Sequence, residues 1–235
     1  MSNQSDRQSN PHQFSDQEID GVYRAIRERR DIRHFKPDPI PPEQLARFIA
    51  AAHMGPSVGF MQPWRFIRIV DLAHRQRIHA HVNEERLRTA DALGQRAGDF
   101  MQLKVEGILS CAEVLIVGLM DERENYVFGR RTMPEMDLAS AACAIQNFWL
   151  AARAEGIGVG WVSMFDPGQL RQLCNMPDGS QPIAILCVGH VDAFYPKPML
   201  EASGWERRRV LEELVYEDAW GNPGSSLFGS KPPAD

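Results

Sequence analysis

Cysteine is scarce in this chain, and the few present fit no ligand or disulfide pattern. Cys111, Cys143, Cys174 and Cys187 are the four in 235 residues, without a CxxC pair. Neither a zinc site nor a disulfide scaffold is indicated. A long apolar run is also missing: no stretch approaches the ~18 residues a membrane-spanning helix needs, so no membrane association is expected. Positive charge is not in excess, with 26 Lys and Arg against 31 Asp and Glu and a formal charge of −5. That balance argues against a nucleic-acid or anionic-membrane binder but leaves room for a local basic pocket holding one phosphate. The 7 histidines form no set. His79 and His81 are two apart on a helical stretch, face different directions, and give no reason to expect a metal. The segment MSNQSDRQSNPHQ has no apolar core of the signal-peptide kind, so a cytoplasmic location is expected.

What is present is an ordinary globular composition, 43% hydrophobic and 24% charged. Residues 1–14 are polar and read as a disordered arm. Ser15 and Glu18 form a capping box ahead of Ile19, Val22, Tyr23 and Ile26 at helical spacing, and that helix should end near Arg30. Three prolines between Asp31 and Pro41 exclude a continuous helix there. A second helix is predicted from Pro42 to Gly55-Pro56. Strands are predicted at Phe66–Val70, Val114–Met120, Val159–Met164 and Ile183–Val188, the second buried on both faces. A charged helical region should run from about Ala73 to Ser110 with a break near Gly94 or Gly98. Asp137 is placed to cap a helix over Leu138–Glu155, which is apolar almost all round and reads as buried. A short helix near Gln169–Leu173 and another segment after Ser203 complete an α+β chain with one domain at 15–220 and a flexible tail at 221–235.

Three clusters carry possible chemistry. Arg29-Arg30-Asp31-Ile32-Arg33 is either a helix C-terminus, where cations complement the dipole, or an anion site built on guanidinium forks. The acid among the arginines should have its charged form favoured. Pro56 to Trp64, PSVGFMQPW, is either a long connection anchored by Trp64 or a rigid wall around a planar ligand, with Gln62 on its polar edge and Phe60 and Met61 on its face. Gly156, Gly158 and Gly160 leave a helix and enter a strand, opposite to the order of a dinucleotide fold. They point to close backbone approach, by a ligand or by another element. Glu122, Arg123 and Glu124 read as a solvated loop, and Arg207 to Arg209 as a surface run or a phosphate clamp.

These clusters are similar to those of the nitroreductase superfamily of FMN proteins, over roughly residues 17–220. The matching segments are RRDIRHF at 29–35, PSVGFMQPW at 56–64 and the helix leading into GIGVGW at 156–161. Within it the sequence resembles one branch, the BluB-type 5,6-dimethylbenzimidazole synthases, most specifically over NFWLAARAEGIGVGWVS at 147–163 and GW at 204–205. Two departures from ordinary nitroreductases point the same way. Asp31 stands where those enzymes carry Ser or Thr, and Phe60 where they carry Asn.

The resemblance implies an α+β nitroreductase-like fold, a central mixed, mostly antiparallel sheet with flanking helices, and an intertwined homodimer with FMN at the subunit interface. It implies that reduced FMN is the substrate, that it reacts with O2, and that the ring yields 5,6-dimethylbenzimidazole, the lower ligand of cobalamin, with release of erythrose 4-phosphate. NAD(P)H then enters only through a separate flavin reductase. Carried over residue by residue, Arg29, Arg30, Arg33 and Arg208 hold phosphate and ring edge. Ile32, Ser57, Gln62, Pro63, Val105, Gly160 and Trp161 shape the slot. Asp31 carries protons, and Ser163 orients the flavin by a hydrogen bond. The rivals are an NAD(P)H-dependent nitroreductase or flavin reductase, and a flavin-sequestering protein with no activity.

Overall fold

The computed structural model describes residues 10–228, with regular structure beginning at α1. Its helix α1 (Asp16–Glu28) starts at the capping box: Ser15 accepts from the Glu18 N–H while Glu18 reaches back to the Ser15 N–H. It ends two residues before the predicted Arg30. Helix α2 (Pro42–His53) has proline in its first turn, where no N–H is needed. Strand β1 (Trp64–Arg68) begins two residues earlier than its pattern suggested.

Helix α3 (Leu72–Leu93) is stopped by Gly94, whose φ of 53° suits only glycine well. A 3-10 turn and α4 (Ala97–Gln102) follow, so the helical region stops short of Ser110. Strand β2 (Glu113–Leu119) is buried along its whole length. Helix α5 (Met136–Ala154) has Glu135 at its N-cap position, so Asp137 lies inside the helix and is no cap. It buries one face only; Leu138, Cys143 and Gln146 stay exposed. Strand β3 (Gly158–Val162), α6 (Pro167–Leu173, capped by Asp166) and β4 (Gln181–Gly189) match their predicted cores.

The sheet order is β1-β2-β4-β3 and every one of these pairings is antiparallel. A parallel bridge joins Asp31 to Val159 outside the strands proper. Alternation along β2 sends Leu115, Val117 and Leu119 to one face and Val114 and Ile116 to the other. The first set packs with Phe48 of α2 and Ile145 and Phe148 of α5. The second packs with Ile78 and Val82 of α3 and Leu170 of α6. The result is a sheet between two helical layers, held by two apolar cores.

The contacts separate a unit ending at Pro196 from a second beginning at Lys197, inside the 15–220 span predicted as one domain. The second unit carries α7 (Met199–Ala202), a 3-10 turn at Leu211–Leu214 in place of a longer helix, and α8 (Ser225–Phe228). A bridge between Tyr216 and Pro223 closes its last turn. Most of the arm predicted at 1–14 and the end of the tail predicted at 221–235 lie outside the described residues.

The glycines of β3 answer one question left open by the sequence: the close approach is by another element. A Cβ on Gly160 would run into the Ile32 carbonyl oxygen, and one on Gly158 would meet Ile32 Cγ1 at 3.1 Å. Gly160→Ala should therefore cost about 1–3 kcal/mol in denaturant unfolding, as forced overpacking does. Gly98→Ala, in a helix with open space around it, should instead gain about 0.5–1 kcal/mol.

Candidate functional site

The site is assembled where the chain leaves α1 and lies against β3. The Ile32 N–H donates to the Val159 carbonyl at 3.0 Å, which seats the segment. Asp31 Oδ1 then accepts the Trp161 N–H at 2.9 Å, and Oδ2 accepts from Arg33 Nη2 at 2.5 Å. Arg33 is buried; it also donates from Nη2 to the Trp161 carbonyl at 2.9 Å and from Nη1 to the Ile32 carbonyl at 3.4 Å.

Asp31 retains 42% side-chain exposure, yet the protein mass around it dominates its ionisation. Burial pushes its carboxyl above the ordinary aspartate value, against the opposing influence of Arg33, the Trp161 N–H and Arg29. This reverses the direction expected from an acid among arginines. The cations lower it, but loss of hydration outweighs them. The outcome is a carboxyl held by two donors with its proton affinity raised, open on one side.

The three arginines divide. Arg29 is the C-cap of α1, and its guanidinium lies over the Trp149 ring at 4.6 Å. Arg30 donates to the Arg27 and Arg29 carbonyls at 2.8 Å each and to Pro196 at 3.0 Å, so it closes the helix C-terminus. Arg33 clamps Asp31 to β3. The expected phosphate forks of Arg30 and Arg33 are thus already occupied by main-chain acceptors and Asp31, although each keeps a buried Nε without a partner in the chain.

The second cluster is a tight turn before β1. Gly59, Phe60 and Gln62 have φ of 52°, 54° and 50°, and for the two non-glycines this left-handed backbone costs about 1–2 kcal/mol each. The turn is held by Ser57 Oγ, which accepts the Gln62 N–H at 3.1 Å, and by Ser140 Oγ, which accepts the Val58 N–H at 3.0 Å. Phe60 is 84% exposed. Pro63 is buried, and its carbonyl accepts the Met120 N–H.

One chain does not bring the two clusters together. Trp161 shares a row with Leu186, Leu115 and Arg68, whereas Trp64 lies four residues further along β1. Three strand spacings across and four residues along separate them by about 20 Å. That is too far for one fused ring system to touch both.

Ser163 is exposed just beyond the end of β3. Val105 is half-buried in the connection after α4. Arg208 is exposed in the second unit. Trp149 and Tyr195 were missed from the sequence. Trp149 Nε1 donates to the Arg30 carbonyl at 3.2 Å, and its ring packs 6.5 Å from Trp161. The Tyr195 hydroxyl accepts the Arg33 N–H at 3.3 Å and lies 2.7 Å from His34 Nδ1. Trp149 stood inside the longest matching segment; nothing local marks Tyr195. Among the described residues no group of three His, Cys, Asp or Glu could hold a metal ion, and no helix is long and apolar enough to cross a membrane.

A model of the nitroreductase family matches residues 26–190. The chain is 40% identical over 194 residues to a 5,6-dimethylbenzimidazole synthase of Rhodospirillum rubrum, covering 81% of this chain and 91% of the relative. It is 36% identical to a protein of the same name from Rhodobacter capsulatus, covering 85% and 97%. The structure of a BluB-like flavoprotein from Clostridium difficile 630 superposes with a TM-score of 0.59 at 18% identity, covering 77% of this chain and 96% of that one; at that identity it shows the fold alone.

Asp31 should titrate above an exposed aspartate in a carbon-13 NMR titration, and Arg33→Gln should push it higher still. Because the folded chain holds this proton where the unfolded chain releases it, the stability Asp31 contributes falls as pH rises from the ordinary value through the raised one. A midpoint at or below the ordinary value would show that the arginines win.

Proposed function

The chain belongs to the nitroreductase family, and from that premise we propose that it converts reduced FMN and O2 to 5,6-dimethylbenzimidazole, releasing erythrose 4-phosphate. The observation that carries the reading is Asp31, a carboxyl of raised proton affinity at the edge of β3. Relatives at 33–40% identity bear the synthase name. A site that merely held flavin would have no need of a proton carrier there.

The residues suit a phosphorylated flavin. Arg29, Arg30 and Arg33 bring three cations to one segment, a concentration of positive charge that suits a phosphate. Arg30 and Arg33, their forks occupied, act as fixed charges, and Arg29 is held for the phosphate by its stacking on Trp149. Arg208 enters this reading through the resemblance alone, as a phosphate-holding cation. Gly160, Trp161 and Ile32 give the wall of the slot on this side, and Val105 adds to it. Ser163 offers an exposed hydroxyl for hydrogen bonding to the ring.

Reduced FMN, the substrate, supplies the carbon skeleton and the electrons that O2 accepts. Asp31 holds and moves a proton in the region between ring and ribityl chain, where a carbon–carbon bond of the chain breaks, so that one ribityl carbon stays with the benzimidazole and four leave as the sugar phosphate. Its anchoring on the Trp161 N–H fixes where that proton is delivered.

Ser57, Gln62 and Pro63 complete the slot from a second copy. The separation of about 20 Å within one chain supports this, because a partner copy can bring its turn against the Asp31 edge. The homodimer is supported further by apolar surface left open in one chain: Val22, Tyr23 and Ile26 on α1, a helix that buries no residue. A separate flavin reductase supplies the reduced flavin, with NAD(P)H entering only there. Free cysteines among the described residues suit the cytoplasm.

Incubated in air with excess chemically reduced FMN, the protein should yield 5,6-dimethylbenzimidazole by chromatography. Asp31→Asn should bind flavin within a few-fold of the parent and form product at least ~100-fold more slowly. Rapid NADH oxidation with FMN left intact would favour a reductase instead, and an active Asp31→Asn would remove Asp31 from the chemistry. Sedimentation should give a dimer; a monomer with flavin bound would contradict the shared site.

A further inference from the structure

The segment 121–135 between β2 and α5 has one short 3-10 turn and an apolar tip at Tyr126, Val127 and Phe128, the last 83% exposed. Its base is tied by a buried ion cluster that the mechanism does not use. Asp137 Oδ2 accepts from Arg123 Nη1 at 3.0 Å and from Arg130 Nη2 at 3.0 Å. The side chains are nearly closed to solvent, at 14% for Arg123, 9% for Arg130 and 5% for Asp137. Arg123, read from the sequence as part of a solvated loop, is thus turned inward.

The arginines also gather the segment's own main chain. Arg130 donates to the carbonyls of Arg123, Tyr126 at 3.3 Å and Pro134 at 3.3 Å, and Arg123 donates to Gly179 at 3.2 Å. One carboxylate therefore fixes both ends of the excursion to the first turn of α5.

The tip so held meets the turn before β1. A Cβ on Gly59 would come within 2.9 Å of the Phe128 carbonyl oxygen, and one on Gly129 within 2.5 Å of Val58 Cγ2. One helical step beyond Asp137, Ser140 Oγ donates to the Met136 carbonyl at 2.5 Å and accepts the Val58 N–H at 3.0 Å. The same start of α5 thus grips both the excursion and the turn. That turn contains two non-glycine residues at positive φ, a conformation that persists only where its surroundings over-determine it.

We infer that Arg123, Asp137, Arg130 and Ser140 are positioning residues that hold the Ser57–Gln62 turn in its strained shape, and so set how Gln62 and Phe60 meet the flavin. The inference rests on the flavin site proposed above. It does not rest on the product made there.

Two variants test it. Asp137→Asn leaves two buried guanidinium groups without a counter-charge and could unfold the chain, so Ser140→Ala is the second, uncharged lesion and Ser140→Thr its conservative rescue. The readouts are FMN affinity by fluorescence quenching, kcat and KM for reduced FMN, and tryptic cleavage after Arg130. Ser140→Ala should weaken FMN binding and raise KM about tenfold with kcat of the folded fraction within about twofold, and Ser140→Thr should restore the affinity. Folded Asp137→Asn should show the same loss and faster cleavage after Arg130. A merely structural role would lower the yield of active protein and leave the affinity unchanged. Unaltered FMN affinity in Ser140→Ala would overturn the inference even with the synthase reading intact. Absence of benzimidazole from the parent protein would overturn that reading and leave the affinity test standing.

Discussion

Everything at the candidate site depends on how closely the segment 31–33 lies against β3. Gly158 and Gly160 remove two side chains from the strand edge, and the Ile32 side chain and carbonyl fill the space. The Ile32 N–H then bonds to Val159, and Asp31 reaches the next free donor, the Trp161 N–H. A carboxylate attached to a backbone donor on a strand is placed with far less freedom than one on a loop. Arg33 closes the arrangement by bridging Asp31 and the Trp161 carbonyl. The acid is at once anchored, partly desolvated and open toward solvent.

The sheet determines what a single chain can and cannot build. With β1 and β3 at opposite edges, the turn before β1 and the segment against β3 are kept apart by the two strands between them. The inner strands β2 and β4 are packed on both faces and offer no room for a ligand. The two candidate clusters therefore lie at the edges, and backbone strain lies in one of them, in the turn of Gly59, Phe60 and Gln62. The helical layers are not passive in this. Trp149 of α5 supports the arginine edge through its ring and its N–H, while Ser140, about two and a half turns earlier on the same helix, supports the strained turn.

Local order was legible where the cause is local. The capping box at Ser15, the proline at the start of α2, the apolar run of β2 and the glycine stop at Gly94 are decided by neighbours within a few residues, and the chain folds there as its pattern requires. Asp137 shows the limit. It precedes an apolar helical run as a cap should, yet two arginines draw it into the interior, and the helix begins one residue before it. The arginines of 29–33 were visible as a cluster, but not their division: Arg30 closes the helix, as the first reading had it, while Arg33 turns inward to hold the acid.

By itself the sequence determined the α+β class, the four strands and the main helices in their order along the chain, and the residues that single out this branch of the family, because helix periodicity, strand alternation and motif spacing are properties of short stretches. Only the tertiary structure decided which side of Asp31's titration prevails, since desolvation sums over atoms from distant parts of the chain. It also decided that the close approach at Gly160 is by Ile32, and that the two clusters stand at opposite edges. Those outcomes depend on distances through space between residues far apart along the chain, which no local pattern encodes.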